Sequence, residues 1–547
     1  QVCPVRVRVN GPLGRLVLVR LRLEARPGFP ALDWHCSRVE VRGLADGQEG
    51  AESQTQVFLC DRWLQTADED VDLRTGKCKI TLIIIIIVVV INSIAQVNSS
   101  WFTAHWKDDW YFGHQCLNGC NPLMLRQIHL VPPNLSVTTD LLRPFLPEGS
   151  SLQLELQSGR IYLLDYEVLD GIPANVVNGK QTYLSAPLCL LHLNQQDQLV
   201  PIAIQLQQNP GPQNPVFLPS DAASDWLLAK IWVRGADSQC HQLVSHYLKS
   251  HLMGELCCVA TLRQLPQVHP LHQLLMPHVK TLLQINLQAR GSLLAAGGVF
   301  DQAMGSGLKT IPVLLSRASA RITYRSLCVP DDLKDRGLDN LPQSYYAQDA
   351  LRIWEVLHSF VVSWLQLYYS KDDDVQLDSE LQGWITDINT HGFTHNSGFP
   401  QSFNTRAEVS KFVTMIIFSC SALHAAINFS QLDFALWMPN CPMAMLRPPP
   451  QVKGSVTEDD ILTFLPDVSS TCRILMSLTM LSQPAVDFVP LCCYKEAIFA
   501  DGAHRRLVEE VQAQLAAISE DIAERNSQLE MPYPYLCPTH IENSVAI

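Results

Sequence analysis

Positive charge is what this chain is short of. Its 40 lysines and arginines are outnumbered by 53 aspartates and glutamates, a formal net charge of −13. A polyanion such as nucleic acid would be repelled, not steered in, and no basic cluster reverses this. Long apolar runs are equally scarce. The unbroken aliphatic stretch Leu82–Ile91 has about half the length of a membrane-spanning helix; it reads as an insertion or a buried strand, and an insertion is the simpler reading. There is no Ser/His/Asp nucleophile motif, no phosphate-cradling glycine loop and no His-Glu-x-x-His. Cys-x-x-Cys spacing is missing too, although there are seventeen cysteines, which argues against zinc ribbons and dithiol redox work. With no charged segment and cleavage site at the start, the expected setting is a reduced, cytoplasmic one.

What is present is a globular composition, 47% hydrophobic and 17% charged over 547 residues, enough for one large domain and a small one. The sequence opens Gln1-Val2-Cys3 without methionine, which reads as part of a longer chain. Residues 1–79 read as β. Val5, Val7 and Val9 alternate with arginines, and Arg15–Leu23 has the same period of two, with Gly/Asp/Pro punctuation between runs. Residues 80–100 form an atypical apolar linker. From Trp101 the composition shifts, and 101–547 reads as one mainly helical domain with a small β section. Within it, Leu188–Leu193 and Leu199–Leu206 around Asn194–Asp197 read as a hairpin, and helices dominate beyond Asp225. After Gly502, Leu507, Val511, Leu515, Ile518 and Ile522 make one apolar stripe, a helix expected to stop near Met531–Pro532. The tail Pro532–Ile547 carries three prolines and must run extended. Sixteen residues at about 3.3 Å each span roughly 50 Å, enough to reach a domain centre.

Three segments carry candidate chemistry. His241, His246 and His251 lie five apart. In an α-helix five residues turn through about 500°, leaving such side chains some 140° out of register; only i→i+5 winding brings them together. Alternatively they are unconnected histidines on a polar helix, and spacing alone leaves both readings open. His424 and Asn428 are four apart on one helix face in an apolar run, where each needs a partner; a satisfied core histidine is the alternative. The end, Val545-Ala546-Ile547, is apolar, and its carboxylate, if buried, needs a cation. Together the three offer imidazoles, an amide oxygen and a carboxylate without thiolate, a set suited to non-haem iron more than to structural zinc.

Several words then make the match specific: Phe112-Gly-His-Gln-Cys-Leu-Asn-Gly119, Asp225-Trp-Leu-Leu-Ala-Lys-Ile-Trp-Val-Arg234, Arg263-Gln-Leu-Pro266, Asp378-Ser-Glu-Leu-Gln382, Trp437-Met-Pro-Asn440, Pro448-Pro-Pro450 and Glu542-Asn-Ser-Val-Ala-Ile547. From about Trp101 onward the chain resembles the animal, arachidonate-type lipoxygenases. The resemblance implies one non-haem iron held by His246, His251, His424, Asn428 and the Ile547 carboxylate, with Gln242 and Gln431 hydrogen-bonded around it. It implies a dioxygenase that takes a bis-allylic hydrogen from a polyunsaturated fatty acid and adds O2 on the opposite face. Ala289 stands where alanine accompanies S products. Ser238, Ala303 and Met304 fall in the substrate pocket, and the small Ser238 and Ala303 should let the fatty acid slide deeper. Gln288 occupies a position where relatives place a cation for the substrate carboxylate, with Arg290 the nearest substitute.

Residues 1–79 resemble only the later part of the family's N-terminal calcium- and lipid-binding β-sandwich. Trp34 and Trp63 are its candidate membrane-facing aromatics, so calcium and a peripheral membrane surface are further expectations. Cys116, His114, Leu423 and Cys492-Cys493 depart from the family's words. A hydroperoxide isomerase in the same fold, and a catalytically defective lipid-binding relative, are the competing functions.

Overall fold

The computed structural model describes residues 18–21, 34–41, 56–64, 71–74, 99–392, 397–500, 502–545 and 547. The chain parts into two units, Gln1–Ile91 and Asn92–Ile547. The expected boundaries at 79 and 100 lie on either side of that division, and the Leu82–Ile91 run lies outside the described residues, as do Val5–Val9.

In the first unit β1 (Leu18–Leu21) pairs antiparallel with β4 (Val71–Arg74), and β2 (Trp34–Val41) with β3 (Gln56–Leu64). The register of the second pair shifts between Cys36 and Arg38, a bulge of the kind that bends an edge.

The second unit is helical around a small sheet. Its five strands run in the order β11 (Val216–Phe217), β10 (Leu199–Gln205), β9 (Leu188–Leu193), β6 (Ile161–Asp165), β5 (Arg126–Gln127), and β7 (Val176–Val177) and β8 (Lys180–Gln181) form a separate pair. The expected hairpin is β9–β10. Asn194 closes it, its Oδ1 accepting from the backbone of Gln196 and Gln198 at 3.0 and 2.9 Å, the local bonding that makes asparagine a turn residue. Every residue of β9 is buried, because helices cover the sheet. The helix Asp109–Asn118 lies against β10 so closely that a Cβ at Gly113 would sit 1.7 Å from the Leu199 carbonyl oxygen.

Seven helices position the site. They are α1 (Ala223–Cys240), α2 (Met253–Gln264), α3 (Leu282–Gly291), α4 (Arg406–Phe418), α5 (His424–Asn428), α6 (Val468–Leu481) and α7 (Gly502–Ser527). Between α1 and α2 the chain continues without a break as a π-helix, His241–Leu252, and a second π-segment, Ser419–Leu423, joins α4 to α5. The 406–435 run is long and apolar enough to cross a membrane, yet its most apolar 18-residue stretch is wholly buried inside the protein. The run starts at a capping box in which Thr405 Oγ1 accepts from the Glu408 backbone N–H and Glu408 Oε2 accepts from the Thr405 backbone N–H. Gly254 allows α2 to approach it: a Cβ there would meet Cys420 Sγ and a Leu282 methyl, each at 2.8 Å.

α7 buries Val508, Val511, Leu515, Ile518 and Ile522, with Leu507 only half-buried. It ends at Ser527, before the proline expected to stop it. Asn526 causes this by accepting from the Tyr533 backbone N–H at 3.1 Å, while Arg525 and Asn526 both donate to the Tyr533 carbonyl. The chain therefore turns back one helical turn early.

Candidate metal centre

Continuous i→i+5 winding turns through less angle per residue than an α-helix, so a five-residue step returns near its starting face. Within His241–Leu252 this brings His246 and His251 to one point, where His424 of α5 meets them. His246 Nε2 lies 3.2 Å from His251 Nε2 and 3.3 Å from His424 Nε2, and all three offer nitrogens within 4.8 Å of one another. His241 does not join them. Its ring donates to the Ile427 carbonyl at 2.8 Å and stacks beside His246.

All three imidazoles are neutral at ordinary pH. Burial first, then the neighbouring rings, push His246 well down; burial and His251 do the same to His424; burial lowers His251 to about 4. His251 Nδ1 faces Asn286 Oδ1 at 2.8 Å, so its proton is on Nδ1 and its Nε2 turns a lone pair toward the other two rings. One shared proton can satisfy only one of the two close Nε2 contacts of His246. A cation satisfies all three nitrogens at once, so this donor set fits a metal ion.

The chain end arrives at the same point, with the Ile547 backbone hydrogen-bonding His424. Its arm is fastened along its length. Leu491 N–H donates to the Ile541 carbonyl at 2.9 Å, Asn543 N–H to the Val489 carbonyl at 2.8 Å, and Thr281 Oγ1 to the Val545 carbonyl at 2.8 Å. His278 bonds the Asn543 carbonyl through Nδ1 and Tyr494 through Nε2, both at 2.9 Å. Cys492, one of the departures from the family's words, has φ +58°, a left-handed conformation that costs a side chain roughly 1–2 kcal/mol. Its N–H is held by Asn543 Oδ1 at 2.9 Å.

Glu542 lies on this arm. Burial first, then Asp487, lift its carboxyl from the ordinary 4.5 to about 7, and Oε2 has no hydrogen-bond partner. The unfolded chain releases this proton at lower pH than the folded one. Between about 4.5 and 7 the native state holds more protons, so stability falls as pH rises, by on the order of 1–2 kcal/mol after solvent screening. Glu542→Gln should flatten that slope in urea midpoints measured from pH 5 to 8; an unchanged slope would remove Glu542 as its source.

Asn428 is fully buried in the last turn of α5. Its Nδ2 donates to the Leu481 carbonyl at 2.7 Å, and its Oδ1 accepts from Gln431 Nε2 at 2.7 Å while keeping a second lone pair. Gln431 Oε1 in turn accepts from Gln242 Nε2 at 2.8 Å, which ties the π-helix to α5.

The expected pocket residues fall into two places. Ser238 is buried in α1, its hydroxyl donating to the Arg234 carbonyl at 2.8 Å and touching Cys441 Sγ at 3.1 Å. Cys441 lines a small cavity with Ala303, Met438, Met443, Ile474 and Leu475, so Ser238 lies behind the wall that Cys441 forms rather than on the cavity surface with Ala303. Met304 is buried next to it, with its carbonyl accepting from Asn175. Ala289 is half-buried on α3. Arg290, beside it, gives its two terminal nitrogens to Glu255 at 2.8 and 2.9 Å, and so is already paired before any fatty-acid carboxylate arrives. The departure at Cys116 is accommodated, since its thiol donates to the Phe112 carbonyl and accepts from Arg234 Nη2 at 3.1 Å. Asn286, Glu255, His278 and Thr281 have no motif spacing. Their partners lie between 31 and 265 residues away, and no periodicity exposes such pairs.

The chain matches the lipoxygenase family model over residues 95–533 and belongs to the lipoxygenase family. It is 46% identical over 451 residues to the human hydroperoxide isomerase ALOXE3, 43% over 453 residues to the mouse arachidonate 12-lipoxygenase of 12R type, and 43% over 446 residues to the human polyunsaturated fatty acid lipoxygenase ALOX15B. These matches cover 82%, 82% and 81% of this chain, and 63%, 65% and 66% of the relatives. The chain thus spans somewhat under two thirds of the length of these curated relatives. Among solved structures it resembles a calcium-dependent 11R-lipoxygenase (TM-score 0.79, 28% identity, 97% of this chain and 90% of that one) and coral 8R-lipoxygenase, described as calcium-activated through a C2-like domain (TM-score 0.79, 28% identity, 94% and 88%).

Proposed function

We propose that the chain is a non-haem iron dioxygenase that converts polyunsaturated fatty acids to S-hydroperoxides. The observation that carries this is the convergence of three neutral, buried imidazoles and the chain end on one point. His246, His251, His424, Asn428 and the Ile547 carboxylate would hold the iron, with Gln242 and Gln431 orienting Asn428. When bound, iron supplies the one-electron chemistry that removes a bis-allylic hydrogen. The chain's own work is alignment: apolar walls around Ala303 and Met304 hold the acyl chain and exclude water, and Ala289 leaves room for O2 on one face. An arachidonate complex is known for a structural neighbour that is 27% identical, which supports the substrate class.

A second reading, hydroperoxide isomerase, is favoured by the 46% identity to ALOXE3. Conjugated-diene absorbance with arachidonate, with and without added fatty-acid hydroperoxide, separates the two. Diene growth supports the dioxygenase; hydroperoxide consumption without diene growth supports the isomerase; flat traces from iron-loaded protein would sink both.

Small residues at 238 and 303 direct oxygenation toward the carboxyl end. Ala303→Ile should therefore shift the product toward the methyl end, and Ala289→Gly should raise the R fraction, both read by chiral chromatography. An unshifted product, or an R product from the parent, removes the corresponding pocket assignment. We extend the reading to a cytoplasmic protein that attaches to membrane surfaces through residues 1–91 with the help of calcium, as the calcium-regulated structural neighbours suggest. Vesicle co-sedimentation with and without calcium tests this; equal, negligible binding under both conditions would refute it.

A further inference from the structure

We propose that Asn286 and Glu255, braced by Arg290, are positioning residues that fix the tautomer and orientation of His251. The inference rests on the metal-centre reading above.

The geometry is a closed relay. Asn286 is fully buried on α3. Its Oδ1 faces His251 Nδ1 at 2.8 Å. Its amide nitrogen donates twice, to the His251 carbonyl at 3.1 Å and to Glu255 Oε2 at 2.7 Å. An amide can present either its oxygen or its nitrogen to an imidazole, and the two choices dictate opposite tautomers. Here both N–H groups are claimed by acceptors, one of them a carboxylate, so the oxygen is the end left for His251. Glu255 thus selects the amide orientation, and the amide selects the Nδ1-protonated imidazole whose Nε2 lone pair faces His246 and His424. Glu255 stays ionised because Arg290 holds it with two parallel bonds at 2.8 and 2.9 Å, the geometry a guanidinium offers a carboxylate.

The brace also assigns Arg290 a task other than meeting the substrate. A guanidinium committed to Glu255 is poorly placed to anchor a fatty-acid carboxylate, so the two roles give different results on substitution.

Three variants of the full chain test the relay: Asn286→Leu, Glu255→Ala and Arg290→Ala. The first readout is the rate of metal loss to a chelator from iron-loaded protein. Asn286→Leu is expected to speed it about 10- to 100-fold, as removing a ligand's hydrogen-bond partner does elsewhere, with Glu255→Ala close behind and Arg290→Ala weaker. The second readout is the histidine ring 15N spectrum of the metal-free chain, in which no ion on Nε2 fixes the tautomer. The parent should show His251 protonated on Nδ1, and Asn286→Leu should lose that single tautomer. The third is KM for arachidonate and for its methyl ester. Arg290→Ala should change neither selectively; a rise in KM for the free acid alone would return Arg290 to the substrate and overturn its bracing role. Metal-loss rates within twofold of the parent in both Asn286→Leu and Glu255→Ala, with the His251 tautomer unchanged, would overturn the proposal. A parent chain that takes up no iron would instead defeat the metal-centre reading, and the ring spectra of the unloaded chain would still decide whether Asn286 selects the tautomer.

Discussion

His424→Ala is expected to lower metal affinity by at least about 100-fold, since removing a ligand must exceed the 10- to 100-fold cost of losing a ligand's hydrogen-bond partner. His424 is the histidine that links the two halves of the centre. It stands beside His246 at 3.3 Å, and it receives the chain end through Ile547. Its loss leaves two neutral rings of one π-helix without their partner from α5, and it frees the last residues of the arm. Elemental analysis should find the purified variant nearly free of iron, with no diene formation. Because Asn428, Gln431 and Gln242 hold one another and the Leu481 carbonyl, α5 itself should stay folded, and the far-ultraviolet dichroism should match the parent. Stoichiometric iron in His424→Ala would refute the metal centre as drawn.

Arg525→Ala carries the second large expectation, and it concerns stability. Arg525 clasps Asp349 with bonds of 2.7 and 2.9 Å, and the Asp349 side chain is only 1% exposed. Truncating the arginine leaves a carboxylate stranded in the interior, where breaking a buried pair from one side costs about 3–5 kcal/mol. The same guanidinium donates to the Tyr533 carbonyl, so the variant also loosens the point where the C-terminal arm leaves α7. Urea unfolding of the chain should show the full loss for Arg525→Ala and much less for the double variant Asp349→Leu/Arg525→Leu, because removing both charges leaves nothing unpaired. Equal losses in the single and double variants would show that the ion pair is not what matters there.

The sequence by itself determined the parts whose signal is local or periodic. The β9–β10 hairpin follows from two apolar runs around Asn194–Asp197. α7 follows from a stripe at three- and four-residue steps, and histidines five apart show that π-winding is what would bring them together, while leaving open whether they meet. His424 and Asn428 share a face because four residues nearly complete a turn. For the arm, the sequence predicts a run extended throughout; it reaches the site, but Pro538–His540 form a 3-10 turn within it, because the Cys537 and Ile541 N–H groups donate backward along the chain to the Pro534 and Pro538 carbonyls.

What only the tertiary structure decided are the matters of who meets whom across long stretches of chain. The second π-segment, Ser419–Leu423, carries no spacing pattern, because no pair of ligands within it demands one. α7 stops at Ser527 rather than near Pro532 because Asn526 and Arg525 bind Tyr533, a contact that exists only once the chain has turned back. Arg290 looks like a free cation in the sequence and is a paired one in the fold. Asn286 is an unremarked amide until α3 lays it between His251 and Glu255. The reason is the same each time: a hydrogen bond between distant residues has no period, so it leaves no trace in composition or spacing, while burial makes it strong enough to set which tautomer, which terminus and which pairing the protein adopts.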